Sequence, residues 1–111
     1  MAWIIAYTED AARDLKELDH SQQIQVLKSI RKVSENPLPS TEGGYGKPLG
    51  NRAASHLAGY LKIKLLKLGL RVVYRLERRD QVMQIVIISV REDEKVYQLL
   101  QDRIKKGSPR P

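Results

Sequence analysis

The chain has 111 residues, a formal net charge of +7 and a pI near 9.8. This length predicts a single domain, and the excess of positive charge favours an anionic partner such as a nucleic acid or a membrane surface. The absence of cysteine excludes disulfides and thiol catalysis and permits a reducing cytosol. No segment has the pattern of a signal peptide or the roughly 20 apolar residues that span a bilayer, so we predict a soluble, cytoplasmic protein.

The positive charge is concentrated in the second half of the chain. Residues 1–46 contain five Lys or Arg and seven Asp or Glu, whereas residues 47–111 contain fifteen and six. The two halves therefore carry −2 and +9, and we expect the anion-binding surface in the second half.

The first half predicts a strand followed by two helices. Trp3 to Tyr7 is a short apolar run, and Thr8 is the expected N-cap of a helix that extends to Asp19. The second helix ends before Pro37, and its predicted buried stripe repeats every three residues, at Ile24, Leu27, Ile30 and Val33. Leu38 to Ser55 is rich in Gly, Pro and small polar residues, which predicts a long loop.

The second half predicts three strands and a helix. Leu57 to Leu66 and Leu70 to Glu77 alternate between apolar and polar residues, and Val82 to Val90 is nearly continuous in apolar residues, as in a central strand covered on both faces. A last helix begins near Glu92. We therefore predict an α+β fold over residues 1–106: an N-terminal strand, a helical hairpin, antiparallel strands forming a twisted sheet with helices on one face, and a short C-terminal helix. We expect residues 107–111 to form a basic, flexible tail.

Cationic side chains on the predicted sheet are the most informative candidates. Lys62 and Lys64 point the same way on one strand with Cα atoms about 7 Å apart, close to the spacing of successive phosphates on a nucleic-acid strand. Crowding of the two cations disfavours their charged forms, so one of them could serve as a base. Composition alone slightly favours the alternative, an ordinary solvated strand face. Arg71 could hold a phosphate with two hydrogen bonds, or it could form a cross-strand ion pair.

Metal and cofactor sites find no support in the sequence. His20 and His56 are isolated from other potential ligands, and Gly43 to Lys47 lacks the spacing of a phosphate-binding loop. We predict no metal and no cofactor. Tyr97, taken alone, is more often explained by packing than by catalysis.

Four segments together resemble the RelE/ParE toxin superfamily of bacterial type II toxin–antitoxin systems. They are Gly59 to Lys64, Gly69 to Tyr74, Ile88 to Arg91 and Glu94 to Tyr97, and the resemblance covers nearly the whole chain. Within this superfamily the RelE branch cleaves mRNA in the ribosomal A site, whereas the ParE branch inhibits DNA gyrase. The resemblance assigns a RelE-like catalytic set of Lys62, Lys64, Arg71, Arg91 and Tyr97. We expect additional RNA contacts from Lys47, Tyr60, Lys67 and Arg75.

The resemblance implies a toxin that is a ribosome-dependent endoribonuclease and that inhibits translation by metal-free attack of a ribose 2′-OH on the adjacent phosphate. In this scheme Lys64 or Lys62 acts as base with Tyr97 assisting, Arg71 stabilises the phosphorane, and Arg91 holds the phosphate or helps the 5′ oxygen leave. The implied partners are a RelB-like antitoxin, the ribosome and mRNA, with operator DNA bound only through the antitoxin complex and no membrane contact. Two alternatives stay open: a ParE-like gyrase inhibitor that binds through the helical hairpin, and an inactive member acting in a repressor complex.

Overall fold

The computed structural model describes residues 2–49, 59–90 and 93–105. The elements are, in chain order, β1 (Ile4–Tyr7), α1 (Glu9–Lys16), α2 (His20–Val33), β2 (Lys47–Pro48), β3 (Tyr60–Leu65), β4 (Leu70–Glu77), β5 (Val82–Ser89) and α3 (Asp93–Lys105). The strands form one sheet in the order β1-β5-β4-β3-β2, in which β1 and β5 are parallel and the other neighbours are antiparallel. The predicted α+β architecture, with its N-terminal strand, helical hairpin and C-terminal helix, is confirmed.

The helical hairpin is encoded by local hydrogen bonds. The Thr8 hydroxyl caps α1 by accepting from the Ala11 amide at 3.1 Å. Asp19 and Gln22 form a capping box at the start of α2, in which each side chain accepts from the other residue's backbone amide. The Gln23 side-chain amide then donates to carbonyl oxygens at the end of α1 and in the connection, which ties the two helices together.

The buried stripe of α2 differs from the predicted one. Val26, Ile30 and Val33 are buried, whereas Ile24 and Leu27 are 42% and 40% exposed. The prediction of a stripe that includes Ile24 and Leu27 was therefore wrong. Three residues turn a helix by about 300°, so a three-residue repeat drifts by about 60° per step, whereas steps of four and three residues stay on one face.

The sheet carries a hydrophobic core on each face. On one face the hairpin residues Ala11, Val26 and Ile30 pack with side chains of β3, β4 and β5. On the other, Val96 and Leu100 of α3 pack on the sheet. The prediction that β5 is covered on both faces is thus confirmed. The helices were predicted on one face only, which was wrong, because the apolar side of α3 covers part of the face on which the cationic side chains were expected to emerge.

The first part of the predicted long loop is folded against the sheet. A 3-10 turn at Ser40–Glu42 precedes β2, and backbone hydrogen bonds such as Gly46 N to Leu38 O close the segment on itself. The fully buried Tyr74 donates its hydroxyl proton to the Pro37 carbonyl at 2.8 Å. Gly46 lies so close to this hydroxyl that a Cβ atom there would collide with it. Residues 50–58 and 106–111, which include the rest of the loop and the predicted tail, lie outside the described residues.

None of the described helices has the length and apolar character needed to cross a membrane.

We predict that Tyr74→Phe destabilises the fold by about 1–3 kcal/mol, because it leaves the Pro37 carbonyl without its buried donor. Urea unfolding followed by circular dichroism measures this free energy. Tyr45→Phe makes the same chemical change at a tyrosine that is 53% exposed, and we expect it to change the free energy by less than about 0.5 kcal/mol. Equal effects of the two substitutions would contradict the role assigned to the Tyr74 hydroxyl.

We also predict a loss of stability at alkaline pH that depends on Tyr74. Burial raises the pKa of Tyr74 above its usual value of 10.0, so as pH rises above that value the tyrosine ionises in the unfolded chain first. Stability from this group is complete below pH 10 and falls as pH rises beyond it. Unfolding midpoints measured between pH 8 and 11 should fall less steeply in Tyr74→Phe than in the wild type.

Candidate nucleic-acid interface

The strand register gathers most of the predicted site residues on one side of the sheet. Lys47 lies directly opposite Lys62, and Lys64 lies directly opposite Arg71. Tyr60 is the cross-strand neighbour of Arg75. Directly paired residues point to the same side of a sheet, and residues two apart on a strand do so as well. We call this side the basic face and define it by Lys47, Tyr60, Lys62, Lys64, Arg71 and Arg75.

Helix α3 crosses the basic face and brings Tyr97 to Lys62. The Lys62 Nζ lies 5.8 Å from the centre of the Tyr97 ring, an arrangement that attracts the ammonium to the ring face. The Tyr97 hydroxyl donates to the Leu49 carbonyl at 2.6 Å, immediately after β2. Tyr97 therefore links three separate parts of the chain: α3, β3 and the segment that follows β2.

The remaining residues of the basic face lie on either side of this contact. Lys64 and Arg71 are half-buried, and Arg71 is also paired with Ser89 on β5. Towards the other end of the strands, Tyr60 packs against the core beneath α3, and its burial raises its pKa while the charge of Arg75 opposes that shift. The basic face thus carries cationic side chains on the pair β2 and β3 and on the pair β3 and β4. The contact between Lys62 and the Tyr97 ring lies between them.

Of the predicted site residues that the structure describes, Lys67 does not join this cluster. Lys67 lies in the exposed turn between β3 and β4, away from the strand positions of the basic face. Arg91 lies outside the described residues, as do Glu92 and His56. His20 is exposed at the start of α2, and the described residues contain no group of three or more His, Asp or Glu side chains arranged to hold a metal ion.

Sequence reasoning missed a buried ion pair between α3 and α1. The Arg103 guanidinium donates to the Asp14 carboxylate at 2.8 and 2.9 Å and to the Val86 carbonyl at 2.7 Å. The same carboxylate accepts from the Ile88 amide at 3.0 Å. A signal existed in the sequence, because Arg103 follows Val96 and Leu100 on the apolar stripe of the helix, where a charged residue needs a buried partner. A cleft of about 370 Å³ opens beside this ion pair, between α1 and α3.

Comparison with known proteins identifies the family. A sequence model described as the ParE toxin of type II toxin–antitoxin systems matches residues 5–97, which is most of the chain. The chain belongs to the RelE/ParE superfamily of type II toxins. An Escherichia coli protein that carries the name RelE-like toxin protein is 27% identical to this toxin over 106 residues, which are 95% of this chain and all of that protein.

Solved RelE structures share the fold of this toxin. The free state of an E. coli RelE toxin mutant matches with a TM-score of 0.70 and 23% identity, over 94% of this chain and 99% of that one. The toxin–antitoxin complex of the RelBE type from Mycobacterium tuberculosis matches with a TM-score of 0.65 and 24% identity, over 82% of this chain and 100% of that chain. The predicted superfamily is therefore confirmed, and the RelE and ParE branches have to be separated by the chemistry of the site.

Proposed function

We propose that this toxin is an endoribonuclease that cleaves mRNA in the A site of the ribosome and so inhibits translation. The observation that carries the proposal is the juxtaposition of Lys62, Tyr97, Lys64 and Arg71 on the basic face. Single-stranded RNA is bound through its phosphates by cations and through its bases by aromatic rings, and this face presents both kinds of group.

The proposed reaction uses a nucleophile that the RNA itself supplies. A lysine of the Lys62 and Lys64 pair accepts the 2′-OH proton, the 2′ oxygen attacks the adjacent phosphorus, and the bond from phosphorus to the 5′ oxygen breaks. The 5′ oxygen takes up a proton as it leaves, which yields a 2′,3′-cyclic phosphate and a 5′-hydroxyl. DNA, which has no 2′-OH, cannot follow this route.

Each of the other site residues has a proposed role in this scheme. Arg71 stabilises the charge that develops on the phosphorane, because a guanidinium can donate two parallel hydrogen bonds to phosphate oxygens. Arg91 is proposed to hold the same phosphate or the leaving oxygen. The Tyr97 hydroxyl is engaged with the Leu49 carbonyl, so we assign Tyr97 to holding the Lys62 ammonium rather than to proton transfer.

The proposed partners follow from the charge of the basic face. The proposed RNA-binding surface is extended by four further residues, Lys47, Tyr60, Lys67 and Arg75. The phosphates of mRNA in the ribosome supply the matching negative charge. A RelB-like antitoxin would neutralise the toxin by covering this face, and operator DNA would be bound through that complex. Similar structures include RelBE toxin–antitoxin complexes from M. tuberculosis and E. coli. Because translation is its proposed target, we place the toxin in the cytoplasm.

A second candidate function is inhibition of DNA gyrase. The matching family model is described as a ParE toxin, and the helical hairpin exposes Ile24 and Leu27 as a possible contact surface. This function would need no reaction at the basic face. The two candidates therefore differ in the substitutions that abolish toxicity.

We predict that Lys64→Ala and Arg71→Ala each reduce A-site cleavage of a translated message by about 10²-fold or more, because the first removes a proposed base and the second removes the guanidinium that stabilises the phosphorane. Toeprinting of the message in a reconstituted translation system measures the cuts. Arg91→Ala should have a similar effect. Arg79→Ala, which removes an exposed cation from the turn between β4 and β5, is the matched control and should cleave at the wild-type rate.

The same purified variants separate the candidate functions. An intact message together with blocked gyrase supercoiling would overturn the proposal in favour of gyrase inhibition. Expression without an antitoxin that leaves growth unaffected would instead favour an inactive member of a repressor complex.

We further predict that binding of single-stranded RNA weakens steeply with salt. Each phosphate neutralised on single-stranded RNA contributes about −0.7 to the slope of log affinity against log salt concentration. Lys47→Ala should therefore make the slope shallower by about 0.7, as measured by fluorescence anisotropy between 50 and 300 mM salt. An unchanged slope would remove Lys47 from the interface.

A further inference from the structure

Arg103 lies on the buried side of α3, at a position where an apolar residue would be expected. It is 9% exposed, and it continues the stripe that begins with Val96 and Leu100. Burying a guanidinium costs several kcal/mol of hydration free energy, which is recovered only through close, well-directed partners. In proteins, apolar side chains of similar volume often replace a buried ion pair with no loss of stability. The charged pair therefore calls for a reason other than stability.

The partners of Arg103 connect three elements at one point. Its guanidinium binds Asp14 of α1 and the carbonyl of Val86, and the Asp14 carboxylate also accepts from the amide of Ile88. Parallel pairing with β1 extends along β5 only to Ile85, so these two backbone groups lie beyond the paired part of that edge. Side chains of α1 and α3 therefore supply the hydrogen-bond partners that a neighbouring strand would provide at this edge. They also hold α3 in one position along β5.

The position of α3 determines where Tyr97 lies. Tyr97 is six residues before Arg103, about 9 Å along the helix axis. Val96 and Leu100 of the same helix make apolar contacts, which tolerate sliding and rotation. A helix rotation of one residue, about 100°, would turn Tyr97 away from β3. The directed hydrogen bonds at Arg103 resist that rotation more strongly than apolar contacts do, and they act together with the bond from the Tyr97 hydroxyl to the Leu49 carbonyl.

We propose that the ion pair between Arg103 and Asp14 is a positioning device that sets the place of α3 on the sheet and thereby holds the Tyr97 ring against Lys62. The role in RNA cleavage rests on the proposed function, whereas the effect on the contact between Tyr97 and Lys62 can be measured without it. Arg103 and Asp14 touch neither RNA nor the reacting atoms in this scheme. They act through α3.

The test uses Arg103→Met combined with Asp14→Asn in the full chain. This variant removes both charges of the pair and keeps an oxygen that can accept from the Ile88 amide. The buried carboxylate of Asp10, which lies 3.8 Å from the Arg103 Nε, keeps its ion pair with Arg13 at 3.2 Å. The readout is the NMR chemical shift of the Lys62 ε-methylene protons, which the ring current of a nearby Tyr97 displaces. We expect the displacement to fall by half or more, while thermal unfolding shows that the variant is folded. Tyr97→Leu provides the value without a ring.

Arg78→Met combined with Glu42→Gln is the matched control. It removes an ion pair with two hydrogen bonds, at 3.0 and 2.8 Å, but on the exposed surface and away from α3. The Lys62 resonance should keep its wild-type position in this control. If the variant with Arg103→Met and Asp14→Asn does not fold, Arg103→Lys takes its place. This substitution keeps the positive charge but loses the planar guanidinium, and we expect the same change in the Lys62 resonance.

The cleavage rate supplies an independent arm of the test. We expect the Arg103 and Asp14 substitutions to lower the rate about tenfold and to leave little further effect for Tyr97→Leu, because both changes disrupt the same arrangement. An unchanged Lys62 resonance, or rate effects that simply multiply, would overturn the positioning role. A wild-type protein that cleaves no RNA overturns the proposed function instead, and the resonance then decides the positioning role by itself.

Discussion

The structure depends on β5 being buried on both faces. Met83, Ile85 and Ile88 contribute to the core beneath the helical hairpin, and Val86 and Ile87 contribute to the core beneath α3. The register explains how one strand serves both layers. Val73 pairs with Ile87 while Tyr74 pairs with Ile85, so Val86 is an extra residue in β5, and this bulge places two consecutive side chains on the α3 side. Both helical layers therefore pack on this one strand as well as on its neighbours.

Covering the sheet on both sides brings an aromatic ring and a charge together. Because α3 packs on the side that also carries the cationic residues, Tyr97 meets Lys62 in a half-buried setting where an ammonium is attracted to a ring more strongly than in open water. The same packing that completes the core therefore shapes the proposed RNA site.

Buried polar contacts give the apolar layers their exact placement. Tyr74 ties the segment before β2 to the sheet through the Pro37 carbonyl, and Arg103 ties α3 to α1 and to β5. Apolar burial supplies most of the driving force for folding, but it is non-directional and tolerates shifts. Hydrogen bonds within a low-dielectric interior penalise such shifts, because a displaced partner would leave a buried group unsatisfied.

The sequence by itself determined the features that depend on neighbouring residues. These are the caps of the hairpin, the alternation along the strands, the apolar character of β5 and the separation of charge between the two halves. Family resemblance supplied the candidate set, which no single segment specifies. The start of α1 after Thr8 and the two-residue spacing of Lys62 and Lys64 needed no tertiary information, whereas α1 ends at Lys16 rather than at the predicted Asp19, which caps α2.

Only the tertiary structure decided how distant segments meet. It rotated α2 so that Val26 rather than Leu27 is buried, it placed Lys47 opposite Lys62, and it seated α3 on the basic face. It also joined Arg103 to Asp14 across 89 positions of the chain. Periodicity in a sequence shows that a helix or strand has a buried side but not which partner covers it. That choice is made by packing and by buried polar pairs between residues far apart in the chain.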